Sequence, residues 1–111
     1  MRNLIVSTNN FSKRNMMNSR NGLPLQELED RAEIHLQAAA IIEDEDPETK
    51  ELKEIGVLVT PESEYYTTIS ATVIDTMHDL IDIMDDEGTA DVRIGKRVSK
   101  GGRTFLTMTI L

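Results

Sequence analysis

The 111-residue sequence contains no cysteine and no tryptophan, and aromatic residues make up only 4% of it. The absence of cysteine excludes a disulfide framework and a thiolate zinc site, and it is typical of a reducing cytoplasm. Long apolar runs are also missing. Leu4–Val6 is too short for a signal peptide, and no segment approaches the roughly 20 apolar residues that span a bilayer. We therefore expect a small cytoplasmic protein without a membrane segment.

Motifs for catalysis and for metal binding are missing as well. The chain has no GxSxG, Walker, GxGxxG or HExxH pattern, and His35 and His78 have no companion ligands. The acids of residues 43–48 lack the ligand spacing and the central glycine of a calcium loop, so we interpret residues 43–53 as a solvated acidic loop. We expect no enzymatic activity, no cofactor and no metal.

Acidic residues are absent from both ends of the chain, although the net charge is −8. Residues 1–26 carry four cations and no acid, and residues 92–111 carry five cations and no acid. All twenty carboxylates lie between, with only three cations, so the segments carry +4, −17 and +5. Such segregation can steer an anionic ligand to one face of an acidic protein.

Hydrophobic periodicity from residue 33 onward predicts strands. Strict alternation over residues 33–42 predicts one long strand with its apolar side chains on one face. Residues 54–60 and 64–70, joined by a turn at 61–63, predict a hairpin. Residues 89–97 and 103–111 predict another around the glycine-containing loop 98–102. The apolar residues of the first strand are Ile34, Leu36, Ala38, Ala40 and Ile42.

Between the two hairpins the apolar period becomes helical. Ser70 or Thr72 is the expected N-cap and Gly88 the expected C-terminal glycine. The stripe that should be buried comprises Val73, Ile74, Met77, Leu80, Ile81 and Met84. Ahead of the strands, residues 3–7 predict a short strand, residues 7–22 a polar loop or arm, and residues 23–31 a turn of helix.

The predicted order from residue 33 is three strands, one helix and two strands. This is the arrangement of the OB-fold, a small Greek-key barrel that commonly grips oligonucleotides. We therefore predict a mainly β fold: residues 33–111 as an OB-like five-stranded barrel with the helix between strands three and four, and residues 1–32 as an N-terminal strand and polar arm.

The last hairpin carries the chemistry of a nucleic-acid site. Pairing that is symmetric about Lys100 places Ile94 opposite Leu106, with the apolar residues on one face. Phe105 then points outward, opposite Gly95 and among arginines. Cations replace the counterions of phosphates, and flat rings stack unpaired bases. Alternatively, Phe105 covers the bare backbone of Gly95 or packs under the arm.

Other aromatic residues offer further platforms. Tyr65 and Tyr66 must face opposite sides of their strand, and the outward one either stacks a base or is an ordinary packing residue. Phe11 either closes over a bound strand or anchors the arm to the barrel. The candidate nucleic-acid contacts are Arg93, Lys96, Arg97, Lys100, Arg103, Phe105, Tyr65, Tyr66, Phe11, Lys13 and Arg14.

The C-terminal half contains YYTTISATVIDTM, a helix that runs into DEG, and VRIGKRVSKGGRTFLTMTIL. It resembles the short OB-fold single-stranded DNA-binding proteins that bacteriophages encode. The resemblance implies non-catalytic coating of single strands in the host cytoplasm, supporting phage DNA replication or recombination. The few aromatics imply weak binding per protomer and reliance on cooperativity or a homo-oligomer. Since the chain ends within a strand at Ile110–Leu111, replication proteins would have to be recruited elsewhere, for example by the acidic loop at 43–54.

Two other readings stay open. An acidic interaction protein, such as a DNA mimic that inhibits a nucleic-acid-binding partner, would use the −17 segment, but such a mimic has no need for a basic terminal hairpin. The other is a structural β-module of a larger assembly.

Overall fold

The computed structural model describes the backbone of residues 2–111 and the side chains of residues 3–111. It contains eight strands, two α-helices and two single-turn 3-10 helices, Ser19–Asn21 and Leu25–Glu27. The strands and α-helices are, in chain order, β1 Arg2–Ser7, α1 Lys13–Asn18, β2 Leu23–Pro24, β3 Ala32–Leu36, β4 Ala38–Glu45, β5 Leu52–Val59, β6 Tyr65–Thr68, α2 Ala71–Glu87, β7 Ala90–Val98 and β8 Thr104–Ile110.

The strands form two sheets, one with the order β1-β4-β5-β6-β2 and the other with the order β3-β7-β8. All pairs are antiparallel except β2 with β6. Among the described strands, β6 and β8 do not pair with each other. The prediction of a mainly β fold is confirmed, with α2 between the β5–β6 and β7–β8 hairpins, and the arrangement is compatible with an OB-like barrel that is open between β6 and β8.

The long strand predicted over residues 33–42 bends at Gln37 and divides between the two sheets as β3 and β4. The bend moves the alternation of side chains by one residue. Leu36 and Ala39 face the main core, whereas Ala38 faces the other way. Ala38 belongs to a second apolar cluster, whose buried residues are Ala38, Ala40, Ile42, Val57 and Val59. The prediction that Ile34, Leu36, Ala38, Ala40 and Ile42 share one face is therefore wrong for its last three members.

The main core lies between the two sheets and α2. All six residues of the predicted helical stripe are buried in it, so that prediction is confirmed. Ser70 is the N-cap, and its hydroxyl accepts a hydrogen bond from the Val73 N–H at 3.4 Å. Gly88 ends the helix at φ 87°, a left-handed conformation that favours glycine. No helix among residues 2–111 is long and apolar enough to cross a bilayer.

Residues 7–22, predicted as a polar loop, contain α1. Ser12 caps this helix reciprocally with Asn15: the Asn15 N–H donates to Ser12 Oγ at 3.1 Å, and the Ser12 N–H donates to Asn15 Oδ1 at 2.9 Å. Phe11 and Met16 pack against the second cluster on the outer face of β4 and β5. Because β1 pairs with β4 and Leu25 is fully buried in the main core, residues 3–31 pack together with the strands that follow.

The acidic hairpin between β4 and β5 is more ordered than predicted. The two strands remain paired out to Glu45 and Leu52, so only residues 46–51 form the loop. Asp46 Oδ1 accepts hydrogen bonds from the backbone N–H groups of Glu48 and Thr49. These two bonds lower the pKa of the Asp46 carboxyl because they stabilise its charged form.

The β7–β8 register differs from the predicted one by two residues. Ile94 lies opposite Met108, and Lys96 lies opposite Leu106. The turn explains the difference. The Gly102 N–H bonds to the Ser99 carbonyl at 2.9 Å, and Gly102 adopts φ 81°, so the hairpin closes one residue later than symmetry about Lys100 requires. A shift of two residues keeps every side chain on its predicted face.

Candidate nucleic-acid interface

An open groove of about 840 Å³ runs over the outer face of the β3-β7-β8 sheet. Val92 and Ile94 are buried beneath it, so the alternate residues of β7 point outward. Thr107 and Thr109 do the same from β8. The residues that line the groove are Asp30, Arg31, Glu33, Arg93, Gly95, Lys96, Arg97, Thr107 and Thr109.

Gly95 leaves bare backbone at the floor of the groove. It lies opposite Thr107, and a Cβ built at Gly95 would meet Thr107 Oγ1 at 2.5 Å. A side chain therefore has no room there while Thr107 keeps its conformation. A glycine in a strand interior is found where another group approaches the backbone closely, and the groove floor offers such a position.

Acidic residues of the preceding segment enter this groove and neutralise part of its charge. Glu33 of β3 lies directly opposite Arg93, and their side chains form an ion pair at 3.2 Å. Asp30 Oδ1 accepts a hydrogen bond from the Lys96 N–H at 2.8 Å. Arg97 has no ion-pair partner among the residues that the structure describes. Arg97 therefore differs from Arg93, whose charge is already paired with a carboxylate.

The loop of residues 99–103 follows the groove residue Arg97 along the chain and joins β7 to β8. Its turn is held by a 2.8 Å hydrogen bond from the Ser99 N–H to the Arg103 carbonyl and by a 3.3 Å bond from the Arg103 N–H to Ser99 Oγ. Lys100 and Arg103 are exposed on this turn. We call the exposed cations of this hairpin, Arg93, Arg97, Lys100 and Arg103, the basic strip.

Phe105 lies directly opposite Arg97, not opposite Gly95 as predicted. Its side chain is 39% exposed, on the outward face. Of the alternatives for this ring, covering Gly95 is wrong, because Thr107 occupies that position. The ring borders a second cavity, about 440 Å³ in volume, together with residues 24–26 and 67–70. An exposed aromatic ring thus adjoins the unpaired arginine.

Comparison with protein-family models identifies the family of this chain. The chain matches the model of the family described as Phage Single-stranded DNA-binding protein over residues 4–111. It belongs to this family. No curated protein and no solved structure matches the chain. The resemblance noted in the C-terminal half is confirmed and extends over nearly the whole sequence. Single-stranded DNA-binding proteins of this kind are generally not enzymes.

The two tyrosines of β6 face opposite sides of the strand, as predicted. Tyr65 packs against the second cluster, and its hydroxyl oxygen accepts a hydrogen bond from Asn15 Nδ2 at 2.9 Å. Tyr66 packs against the main core, and its hydroxyl donates to Glu64 Oε2 at 3.3 Å. Burial, followed by the charge of Glu64, raises the pKa of Tyr66. The outward tyrosine is therefore covered by α1.

The N-terminal candidates lie away from the groove. Phe11 packs against the second cluster, the position expected if it anchors the segment to the barrel. Lys13 and Arg14 are exposed in the first turn of α1, which covers the five-stranded sheet rather than the β3-β7-β8 sheet. Of the other candidates, Arg93, Lys96 and Arg97 line the groove, Phe105 lies opposite Arg97, and Lys100 and Arg103 lie in the turn between β7 and β8.

Two groups at the interface had no signal in the sequence. Arg31 reaches the groove because a left-handed backbone at φ 69° and a 2.8 Å hydrogen bond from its N–H to the Ile94 carbonyl place it beside β7. Ile69, in the link between β6 and α2, borders the cavity beside Phe105. The sequence pattern assigned Ile69 to the end of a strand, where an apolar residue needs no functional explanation.

Proposed function

We propose that the protein binds single-stranded DNA without sequence preference in the groove of the β3-β7-β8 sheet, as a non-catalytic support of phage DNA replication or recombination. One observation carries the proposal: Arg97, which has no acidic partner in the described chain, lies directly across from the exposed ring of Phe105. Together they provide what a single strand requires, a cation for a phosphate and a platform for a base.

Phosphate contacts would follow β7. Arg93 and Arg97 are four residues apart on the same face, a separation of about 13 Å along a strand. They are too far apart to contact a single phosphate, so each would neutralise its own. Lys96 lines the same groove, and Lys100 and Arg103 would continue the path around the hairpin turn. The threonine hydroxyls of β8 can donate to phosphate or sugar oxygens, which position a strand without reading its sequence.

The remaining candidates would have lesser roles. We propose that Lys13 and Arg14 attract DNA only through long-range electrostatics, since α1 covers the other sheet. Tyr65, Tyr66 and Phe11 would contribute packing rather than stacking, because each packs against an apolar cluster.

The acidic end of the β4–β5 hairpin would have a separate role. Its carboxylates repel DNA and so confine binding to the basic strip. It would also be the surface that a basic replication or recombination protein contacts. Membership of a DNA-binding family argues against the alternative in which the whole protein is a DNA mimic.

A fluorescence anisotropy titration tests the proposal. Labelled oligo-dT and a mixed-sequence oligonucleotide of equal length should bind with similar affinity, and the affinity should fall steeply with salt. The double variant Arg97→Glu and Arg103→Glu should abolish binding. The matched control, Lys50→Glu and Lys53→Glu, changes the net charge equally but alters the acidic hairpin instead. Equal losses in both double variants, or no binding of wild-type protein at low salt, would overturn the proposal.

A further inference from the structure

The cavity beside Phe105 occupies the gap where the barrel is open. Its walls come from β8 on one side and from the β6–α2 link and β2 on the other. These belong to different sheets, and no strand pairing joins β6 with β8 in the described chain. The residues that line it are Pro24, Leu25, Gln26, Thr67, Thr68, Ile69, Ser70, Thr104, Phe105 and Leu106. We call this cavity the β6–β8 cleft.

Two apolar side chains project at the mouth of the cleft. Phe105 is 39% exposed and Ile69 is 73% exposed, the highest value among the large apolar residues exposed in the described chain. Ile69 is not on a loose loop. The Ser70 N–H that follows it bonds to Thr68 Oγ1 at 3.1 Å, and Ser70 caps α2. Hydrogen bonds in the adjacent backbone thus accompany an exposed isoleucine that lines the same cleft as an aromatic ring.

We propose that the β6–β8 cleft accepts an unstacked nucleobase of the bound single strand, with Phe105 as the stacking platform and Ile69 as the opposing apolar wall. The inference rests on the proposed function and adds to it a base-binding site outside the groove. The cleft volume of about 440 Å³ lies within the range of small-molecule sites, which combine apolar walls with a few polar groups.

The residues that line the cleft favour a nucleobase as its ligand. Among the residues that line the cleft, none of those described is acidic, and Gln26, Thr67 and Thr104 offer polar groups to the edge of a base. The cleft also adjoins the basic groove, because Phe105 of the cleft is the cross-strand partner of Arg97 of the groove. A nucleotide matches both surfaces at once, since its phosphate suits Arg97 and its base suits the apolar cleft. An apolar peptide would match only the cleft.

The test compares two ligands of equal length, oligo-dT and an oligomer of abasic deoxyribose phosphate, by fluorescence anisotropy at low salt. The abasic ligand keeps the phosphates but has nothing to place in the cleft. Phe105→Ala should weaken oligo-dT binding about 5- to 150-fold, the range for the loss of one stacked base. Ile69→Ala should weaken it in the same direction by a smaller factor. Neither variant should change the affinity for the abasic ligand.

Leu52→Ala is the matched control, because Leu52 is a similarly exposed apolar residue at the far end of β5. Ile69→Ala guards against misfolding, since so exposed a side chain contributes little to the core. If Phe105→Ala and Ile69→Ala match Leu52→Ala while Arg97→Glu abolishes binding, the cleft proposal is refuted and the groove stands. If wild-type protein binds neither ligand, the proposed function itself fails. A change in oligomeric state without a change in oligo-dT affinity would assign the cleft to a second copy and also refute the proposal.

Discussion

Because Glu33 and Arg93 form an ion pair, substitution of a groove arginine and substitution of Glu33 should change DNA affinity in opposite directions. Arg97 has no acidic partner in the described chain, so Arg97→Ala should remove a full phosphate contact. Arg93 is already paired with Glu33 at 3.2 Å, so Arg93→Ala should remove less. Glu33→Gln should release Arg93 for a phosphate and therefore strengthen binding.

The expected magnitude follows from counterion release. Each phosphate contact with a single strand contributes about −0.7 to the slope of log affinity against log salt concentration. One contact therefore costs about 2.6-fold in affinity for each fourfold increase in salt. Arg97→Ala should make the slope shallower by about 0.7, and Arg93→Ala should change it by less. Glu33→Gln should make it steeper, by no more than about 0.7.

The assay is a series of anisotropy titrations with oligo-dT at four or more salt concentrations. Lys53→Ala and Glu54→Gln are matched controls, because both lie on β5 in the acidic hairpin and change the net charge by the same amounts. Slopes for Arg97→Ala and Lys53→Ala that agree within error would refute the reasoning. A Glu33→Gln slope equal to that of Glu54→Gln would show that the ion pair does not compete with DNA.

Three further predictions concern stability. Ser12→Ala removes the α1 cap and should lower the free energy of unfolding in urea by about 1 kcal/mol without changing oligo-dT affinity. A urea midpoint equal to that of the wild-type protein would contradict the role of the cap. Gly95→Ala should lower the free energy of unfolding by about 1–3 kcal/mol, because the new methyl group meets Thr107 Oγ1. Adding Thr107→Ala removes this oxygen and should restore most of the lost stability. If the double variant is no more stable than Gly95→Ala, that contact is not the cause. The pKa of Tyr66 is higher in the folded state than the unfolded value of about 10. The stability that Tyr66 contributes is therefore complete below the unfolded pKa, and it is lost as the pH rises through the folded pKa. Alkaline unfolding should show this loss in wild-type protein but not in Tyr66→Phe.

The elements that the sequence predicted well are those whose periodicity is unambiguous. Helix α2 combines a polar face with six apolar residues at helical spacing, and Ser70 and Gly88 mark its ends. The outward face of the last hairpin was also predictable, because buried and exposed residues alternate along β7. Its register was not. Registers that differ by two residues bury the same side chains, and the conformation of Gly102 decides between them.

Other features depend on tertiary packing that periodicity does not record. Residues 38–42 of β4 are all apolar, so both faces of this strand are buried. The change of face at Gln37 therefore leaves no trace in the alternating pattern of the sequence. Helix α1 has six residues, too few for a periodic signal. The basic hairpin appeared free of acids along the chain, but pairing with β3 brings Glu33 beside Arg93. The sequence thus indicated the cations of the hairpin, but neither Arg31 in the groove nor the pairing of Arg93 with Glu33.

The most direct test of the central claim is to map the DNA footprint by NMR, as amide chemical-shift changes on titration with oligo-dT. The largest changes should fall in residues 93–97 and 105–109, on the outer face of the β3-β7-β8 sheet. Residues 13–18 of α1 and residues 46–51 of the acidic loop should change little. Largest changes in α1, with β7 and β8 unaffected, would contradict the account.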